Sequence, residues 1–451
     1  MSSQEITEDD HGGEVDDSTM HRAIAGAATG NALEWFDFGV YGYFATTIGH
    51  VFFPSQSDTA ALLSSFAVFA SAFVARPFGS LVFGPLGDKI GRSGVLIATI
   101  LIMSVGTSLV GVLPSYESIG IWSPILLIAL RMIQGFSTGG EYGSAATFIV
   151  EYAPDDRRGF LASWLEFGTL TGYSFAAILA LILDGFLGND AMTSWGWRIP
   201  FLMAAPMGIF GVWLRLHLED SPAFKELQDS GEVEQAPFRT LFAHHWRTMM
   251  LCLGLVLVLN VAYYTVLKYM PSYFTSQLDI SEFNSVLLSL GILVGMLLLV
   301  TPLGRLSDKI GRKPLLYIAC GGLIVFSIPG FYLMSLGSLW LAFAGLALIA
   351  FFVVFLSGVM PSTLPAIFRT NVRNGGFTIS YNVSTALFGG TAPFLITWLI
   401  SVTDNTYVPA FYLMLAAAIA LIPAIRLRES ANAPLLGSKA RHGRAPDKRR
   451  R

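Results

Sequence analysis

Long apolar stretches alternate with short polar connections along almost the whole chain. Twelve such stretches lie at about 24–47, 60–83, 94–113, 122–150, 159–184, 198–217, 248–274, 284–304, 314–335, 338–364, 375–400 and 407–427. Each comes close to or exceeds the roughly 20 residues a helix needs to cross a bilayer. A polar stretch at 218–245 separates six from six. The pattern predicts an all-α polytopic membrane protein with twelve transmembrane helices in two six-helix halves. The halves are expected at 22–217 and 246–428, with a tail at 1–21, a central loop at 218–245 and a basic tail at 429–451.

Composition supports this pattern. The chain has 451 residues, 53% hydrophobic and only 13% charged, where a soluble protein carries roughly 25% charged residues. Residues 1–20 are polar and acidic, so no cleavable signal peptide is expected. Cys252 and Cys320 both fall in apolar runs and read as core or lipid-facing residues rather than a disulfide or metal pair.

Charge is segregated by side. The connections at 48–59, 114–121, 185–197, 271–283, 336–340 and 401–407 contain no Lys or Arg. The alternate ones carry Lys89 and Arg92, Arg157 and Arg158, Lys225, Arg239 and Arg247, Lys309, Arg312 and Lys313, and Arg369 and Arg373. The positive-inside rule therefore places both termini and the central loop in the cytoplasm. The segment 429–451 carries no heptads and is expected to be an unstructured basic tail near anionic lipid, with a docking role as the alternative.

One polar connection occurs twice. Gly84-Pro-Leu-Gly-Asp-Lys-Ile-Gly-Arg92 is matched by Gly304-Arg-Leu-Ser-Asp-Lys-Ile-Gly-Arg312 at the same spacing. A duplicated half of this kind is a mark of secondary transporters, in which one half rocks against the other. The glycines permit a tight turn, and Asp88 is placed to cap the next helix or to meet a cation of the facing half. Lys89 and Arg92 suit anionic headgroups. Asp88, Arg92, Asp308 and Arg312 are expected to act as a conformational latch.

Ionisable residues at bilayer depth are costly and are functional candidates by default. Glu34 lies about 15 Å into the first span, and Asp37 one turn further on the same face. Arg131 lies about 14 Å into the fourth span from the opposite side, at matching depth. A carboxylate that can exchange a guanidinium for a proton is the minimum chemistry of a proton-coupled carrier. A static ion pair that fixes helix packing fits the same residues, but at the cost of buried charge. Arg76, about 24 Å from the outer end of its span, is expected near the cytoplasmic face with Glu141 and Glu166, as a gating or structural network. Asp184 and Lys268 fall near outer span ends and are expected to snorkel. The second half supplies neutral polar groups: Asn260, Tyr263, Tyr264, Tyr269, Tyr381, Asn382 and Ser384.

No Walker A loop, zinc-ligand set or nucleophile elbow is present. An enzyme, a metal or other cofactor, an ATP-driven pump and a nucleic-acid partner are therefore not expected. The energy source left is an ion gradient or the solute gradient itself.

The paired Gly-x-x-x-Asp-Lys-x-Gly-Arg connections resemble the signature of the major facilitator superfamily, and Arg131-Met-Ile-Gln-Gly135 resembles its fourth-helix motif, associated with proton coupling. Gly30-Asn-Ala-Leu-Glu-Trp-Phe-Asp-Phe-Gly-Val-Tyr-Gly42, Gln134-Gly-Phe-Ser-Thr-Gly-Gly-Glu-Tyr142 and Trp195-Gly-Trp-Arg-Ile-Pro-Phe201 resemble the metabolite:proton symporter family. That family includes carriers for proline and betaines, 2-oxoglutarate, citrate and shikimate. Tyr263-Tyr264, Lys268-Tyr-Met-Pro-Ser-Tyr-Phe274 and Ser362-Thr-Leu-Pro-Ala-Ile-Phe368 are most similar to its proline/glycine-betaine carriers.

The resemblance implies proton-coupled import of a small zwitterionic osmolyte by alternating access, with Glu34, Asp37 and Arg131 in coupling. A quaternary ammonium favours aromatic faces. Trp35, Tyr41, Tyr263, Tyr264, Tyr381 and Asn382 are the substrate-binding candidates, with Tyr152, Trp164 and Trp398 as further aromatics for a cage. A carboxylate:proton symporter and a solute sensor that does not transport are the alternatives. A carboxylate substrate should want Arg131 free, whereas a zwitterion tolerates its being paired.

Overall fold

A computed structural model describes the backbone at residues 17–54, 57–90, 92–216 and 238–437. Among the described residues the secondary structure is helical throughout, with no strand. The first crossing is Asp17–Tyr43, continued by Ala45–Phe52. The second and third are Asp58–Ile90 and Arg92–Val112. The fourth is broken at Gly139 and Gly140 into Trp122–Thr138 and Glu141–Tyr152. The fifth is Arg158–Ala191, and the sixth is Arg198–Leu202 with Ala204–Leu216.

The seventh crossing runs from Phe238–Tyr263 through a π-helical stretch, Tyr264–Tyr269, into Met270–Leu278. The eighth to tenth are Glu282–Ile310, Arg312–Met334 and Leu339–Ala366. The eleventh joins Arg373–Ser384 to Ala392–Thr403 through a second π-helical stretch, Thr385–Gly389. The twelfth is Val408–Arg426. The seventh helix starts at Phe238, well before the expected limit of 246, so part of the expected central loop is helical.

Eight of these crossings are long and apolar enough, taken singly, to span a membrane among the described residues. The first, third, fourth and sixth are not among them; the first carries Glu34 and Asp37, and the fourth carries Arg131 and breaks at a glycine pair. Large apolar side chains point outward around the bundle, among them Phe78, Ile209, Leu298 and Trp340. With hydrocarbon as solvent, such a surface carries no penalty.

The halves meet tightly at the end bearing the Lys- and Arg-rich connections. Asp308, at the foot of the eighth helix, accepts hydrogen bonds from the backbone N–H of Gly159 (2.7 Å) and Phe160 (2.8 Å) at the start of the fifth. Those are among the N–H groups that a helix leaves without an internal partner. The glycines of the repeat turn out to have separate tasks. Gly304 lies inside the eighth helix, where a Cβ would collide with Ser163 of the fifth; it permits close approach, not a turn. Gly311, at φ 100°, makes the turn.

Residues 429–437 are docked over this face, contrary to the expectation of an unstructured tail. Glu429 accepts from the backbone N–H of Arg312 and Lys313 (3.0 Å each). Asn432 donates to the Asp308 carbonyl, and Arg158 and Arg373 donate to the carbonyls of Ala433 and Leu436. Arg312 is fully buried, with Nη1 on Ser430 Oγ at 2.6 Å. Arg373 also pairs with Glu151 of the first half at 2.7 Å. The side chains at 84–96 lie outside the described residues, and with them the expected roles of Asp88 and Arg92.

Candidate functional site

The centre of the first half holds two carboxylate–guanidinium pairs, one more than expected. Asp37 accepts from Arg131 Nη1 at 2.8 Å, from Thr107 Oγ1 at 2.7 Å and from Gln134 Nε2 at 3.3 Å. Arg131 lies over the Tyr41 ring, 4.0 Å from its centroid, and Tyr41 in turn donates to the Ser65 carbonyl. Glu34 does not share Arg131. Its partner is Arg76, which also donates from Nε to Thr138 at 3.0 Å. Arg76 was expected near the cytoplasmic face; it sits midway along a helix that runs from Asp58 to Ile90.

All four charged side chains are buried to within 2% of full. Buried charges persist only when paired; three donors surround the Asp37 carboxylate, whereas Glu34 Oε2 has no hydrogen-bond partner among the described residues. Beside them lies a cavity of ≈ 20 Å³ bordered by Glu34, Asp37, Thr107 and Glu141. That is room for a single water. Glu141 thus borders the same cavity as Glu34 and Asp37.

Glu166 belongs to a third group, at the boundary between the halves. Its two oxygens accept from Tyr142 (2.6 Å) and Tyr263 (2.8 Å). Tyr142 is stacked on Tyr381 of the second half, centroids 4.3 Å apart and planes at 14°. The expected network of Arg76, Glu141 and Glu166 is therefore divided: Arg76 serves Glu34, and Glu166 joins tyrosines from both halves. Asn382 donates across the same boundary to Ser80 Oγ at 2.9 Å and to the Gly139 carbonyl. The latter is a backbone acceptor at the break in the fourth crossing.

Trp35 and Tyr264 face each other across the halves, ring centroids 6.2 Å apart, with Phe69 and Phe73 against Tyr264. Trp35 is held by its indole N–H on Asn31 (3.0 Å). Among the further cage aromatics, Trp398 is 45% exposed on the outer surface and takes no part; Trp164 and Tyr152 are only half-buried. Lys268 does not snorkel. It is 1% exposed, and its Nζ lies 4.3 Å from the centroid of Tyr173.

Sequence reasoning missed Thr107, Tyr142, Tyr173 and the phenylalanines at 38, 69 and 73. Phe38, Gln134 and Tyr142 stand within quoted motifs and were available from them; Thr107, Phe69 and Phe73 look like any other residue of an apolar run.

The pattern of the Sugar (and other) transporter family matches residues 23–237 and 223–438. A glycine betaine/proline/ectoine/pipecolic acid transporter of Dickeya dadantii is 42% identical over 433 residues, 94% of this chain and 86% of that one. The proline/betaine transporter of Escherichia coli is 42% identical over 436 residues, with the same coverage. This chain belongs to the major facilitator superfamily, among the relatives of the proline/betaine transporters. It is a multi-pass membrane transporter and not an enzyme. The proton:xylose symporter XylE, bound to 6-bromo-6-deoxy-D-glucose, has the same fold: TM-score 0.72 at 18% identity, over 93% of this chain and 98% of that one. A D-xylose-proton symporter structure gives TM-score 0.70 at 19% identity, over 92% and 99%.

Proposed function

We propose that this transporter imports a small zwitterionic osmolyte, of the proline or glycine betaine type, together with protons. The observation that carries the reading is the likeness, at about two residues in five over 94% of the chain, to proteins named as proline/betaine transporters. Arg131 is already paired with Asp37, which suits a zwitterion better than a di- or tricarboxylate in need of a free guanidinium. Glu34 and Asp37 are the proton-coupling carboxylates, each holding a guanidinium that protonation would release. Trp35, Tyr41, Tyr263, Tyr264, Tyr381 and Asn382 line the solute's path between the halves. Asp308 and Arg312 close the cytoplasmic end, with Asp88 and Arg92 as their counterparts in the first half.

In this reading the protein lies in the bacterial cytoplasmic membrane with both termini in the cytoplasm, and has no nucleic-acid partner. Proteoliposomes with an inward proton gradient should accumulate radiolabelled betaine or proline. Accumulation of 2-oxoglutarate with neither of these would overturn the reading in favour of the carboxylate symporter. Binding of betaine without any uptake would favour the sensor.

A further inference from the structure

Lys268 sits on the π-helical stretch Tyr264–Tyr269 of the seventh crossing, in the second half. A π-helical turn inserts one extra residue and commonly marks a functional position. The side chain crosses to the first half. A Cβ added at Gly42 would stand 2.9 Å from its Cδ and 3.4 Å from its Nζ. The ammonium ends among three rings of the first half: Tyr173 at 4.3 Å, Phe69 at 5.4 Å and Phe38 at 5.9 Å from the centroids. These lie within the roughly 6 Å over which a cation is attracted to an aromatic face. Among the described residues Nζ has no hydrogen-bond acceptor. Asp37, the anion that acts on it, is engaged by Arg131.

A buried ammonium in a ring of aromatic faces, with three N–H donors unused, is half of a recognition site. The rings are suited to an organic cation, and the ammonium to an anion. We infer that Lys268 is the carboxylate anchor of the solute site, and that its ammonium fills the Phe38–Phe69–Tyr173 box as a stand-in for the solute's own cationic group. A zwitterion satisfies both parts at once. Its onium group takes the ring faces, and the displaced Nζ donates to its carboxylate. The net charge of the interior is unchanged by the exchange. An onium compound without a carboxylate, such as choline, would instead leave two cations side by side.

This inference rests on the osmolyte reading, and binding experiments separate the two. Intrinsic tryptophan fluorescence of the purified full-length protein in detergent should report betaine binding at least tenfold tighter than choline binding. Lys268→Met should weaken betaine at least tenfold and bring the two ligands within about threefold of each other. Lys268→Arg, which keeps the cation, should keep the preference for betaine; Lys268→Gln gives the same readout as Lys268→Met if that variant does not fold. A neutral variant that keeps the wild-type betaine preference overturns the anchor, as does a preference lost equally in Lys268→Arg. Wild-type protein that binds neither betaine nor proline overturns the osmolyte reading and the anchor together.

Discussion

Asp308 accepts a 2.7 Å hydrogen bond from the backbone N–H of Gly159, so a residue of one half caps a helix of the other. Caps of this type contribute about 0.5–2 kcal/mol, and the carboxylate also faces the positive end of the helix dipole. Because the bond joins the halves, that energy bears on whether this end is open or closed. Asp308→Asn keeps the shape but loses the charge and one acceptor. A cysteine introduced by Ser144→Cys, beside Asn374 of the second half, should react with a bulky maleimide roughly 2–30-fold faster in the Asp308→Asn background. Equal rates would remove Asp308 from the latch.

The partition of the central charges into Glu34 with Arg76 and Asp37 with Arg131 makes a prediction that depth alone does not. Removing one member of a buried pair leaves an uncompensated charge, at a cost of about 3–5 kcal/mol, whereas removing both is far milder. Glu34→Gln and Arg76→Gln should each lower the thermal unfolding temperature, and the double variant should recover most of the loss. Glu34→Gln combined with Arg131→Gln should show no such recovery. Additive losses in both combinations would mean that the pairs are not energetic units.

The extent to which this arrangement was legible in the sequence follows from what sequence encodes. Helix rise fixes depth, so the levels of Asp37 and Arg131 could be counted and their pairing foreseen. Depth depends on where a helix ends, and apolar runs end before helices do. The second helix extends to Ile90 and the seventh to Leu278. Within their helices Arg76 and Lys268 therefore stand further from an end than the apolar runs alone suggest. Azimuth is the second missing quantity: nothing in a single apolar run says that Glu166 faces tyrosines, or that Trp398 faces outward. The duplicated motif foretold two related halves, but not that its aspartate would cap a helix in the opposite one.

Glu166 accepts one tyrosine from its own half and one from the other, which separates stability from conformation. A hydrogen bond to a charged group is worth about 1.5–3 kcal/mol. Tyr142→Phe and Tyr263→Phe should both reduce thermal stability by amounts of that order. Only Tyr263→Phe breaks a bond between the halves, so only it should alter the labelling rate of Ser144→Cys. If Tyr142→Phe, which keeps the ring on Tyr381, changes that rate equally, the Tyr263 bond is not what couples Glu166 to the second half.

The docked segment 429–437 supplies a pH-dependent prediction. Burial would raise the Glu429 carboxyl, but backbone N–H groups of Arg312, Ala431, Lys313 and Ser430 outweigh it and hold the group below its ordinary value of 4.5. A carboxylate depressed in the folded state contributes stability that is fully present above the unfolded value and is lost as pH falls through the folded one. The docking should thus be intact at neutral pH and weaken only below about 4.5. Thermal unfolding of the purified protein between pH 7 and pH 3 should show wild type losing its margin over Glu429→Gln once the medium falls below about pH 4.5. The variant should start lower at pH 7 and fall less steeply. Parallel curves for the two proteins would show that the charge of Glu429 does not hold the segment in place, and that the bonds made by Arg158, Arg312, Arg373 and Asn432 hold it instead.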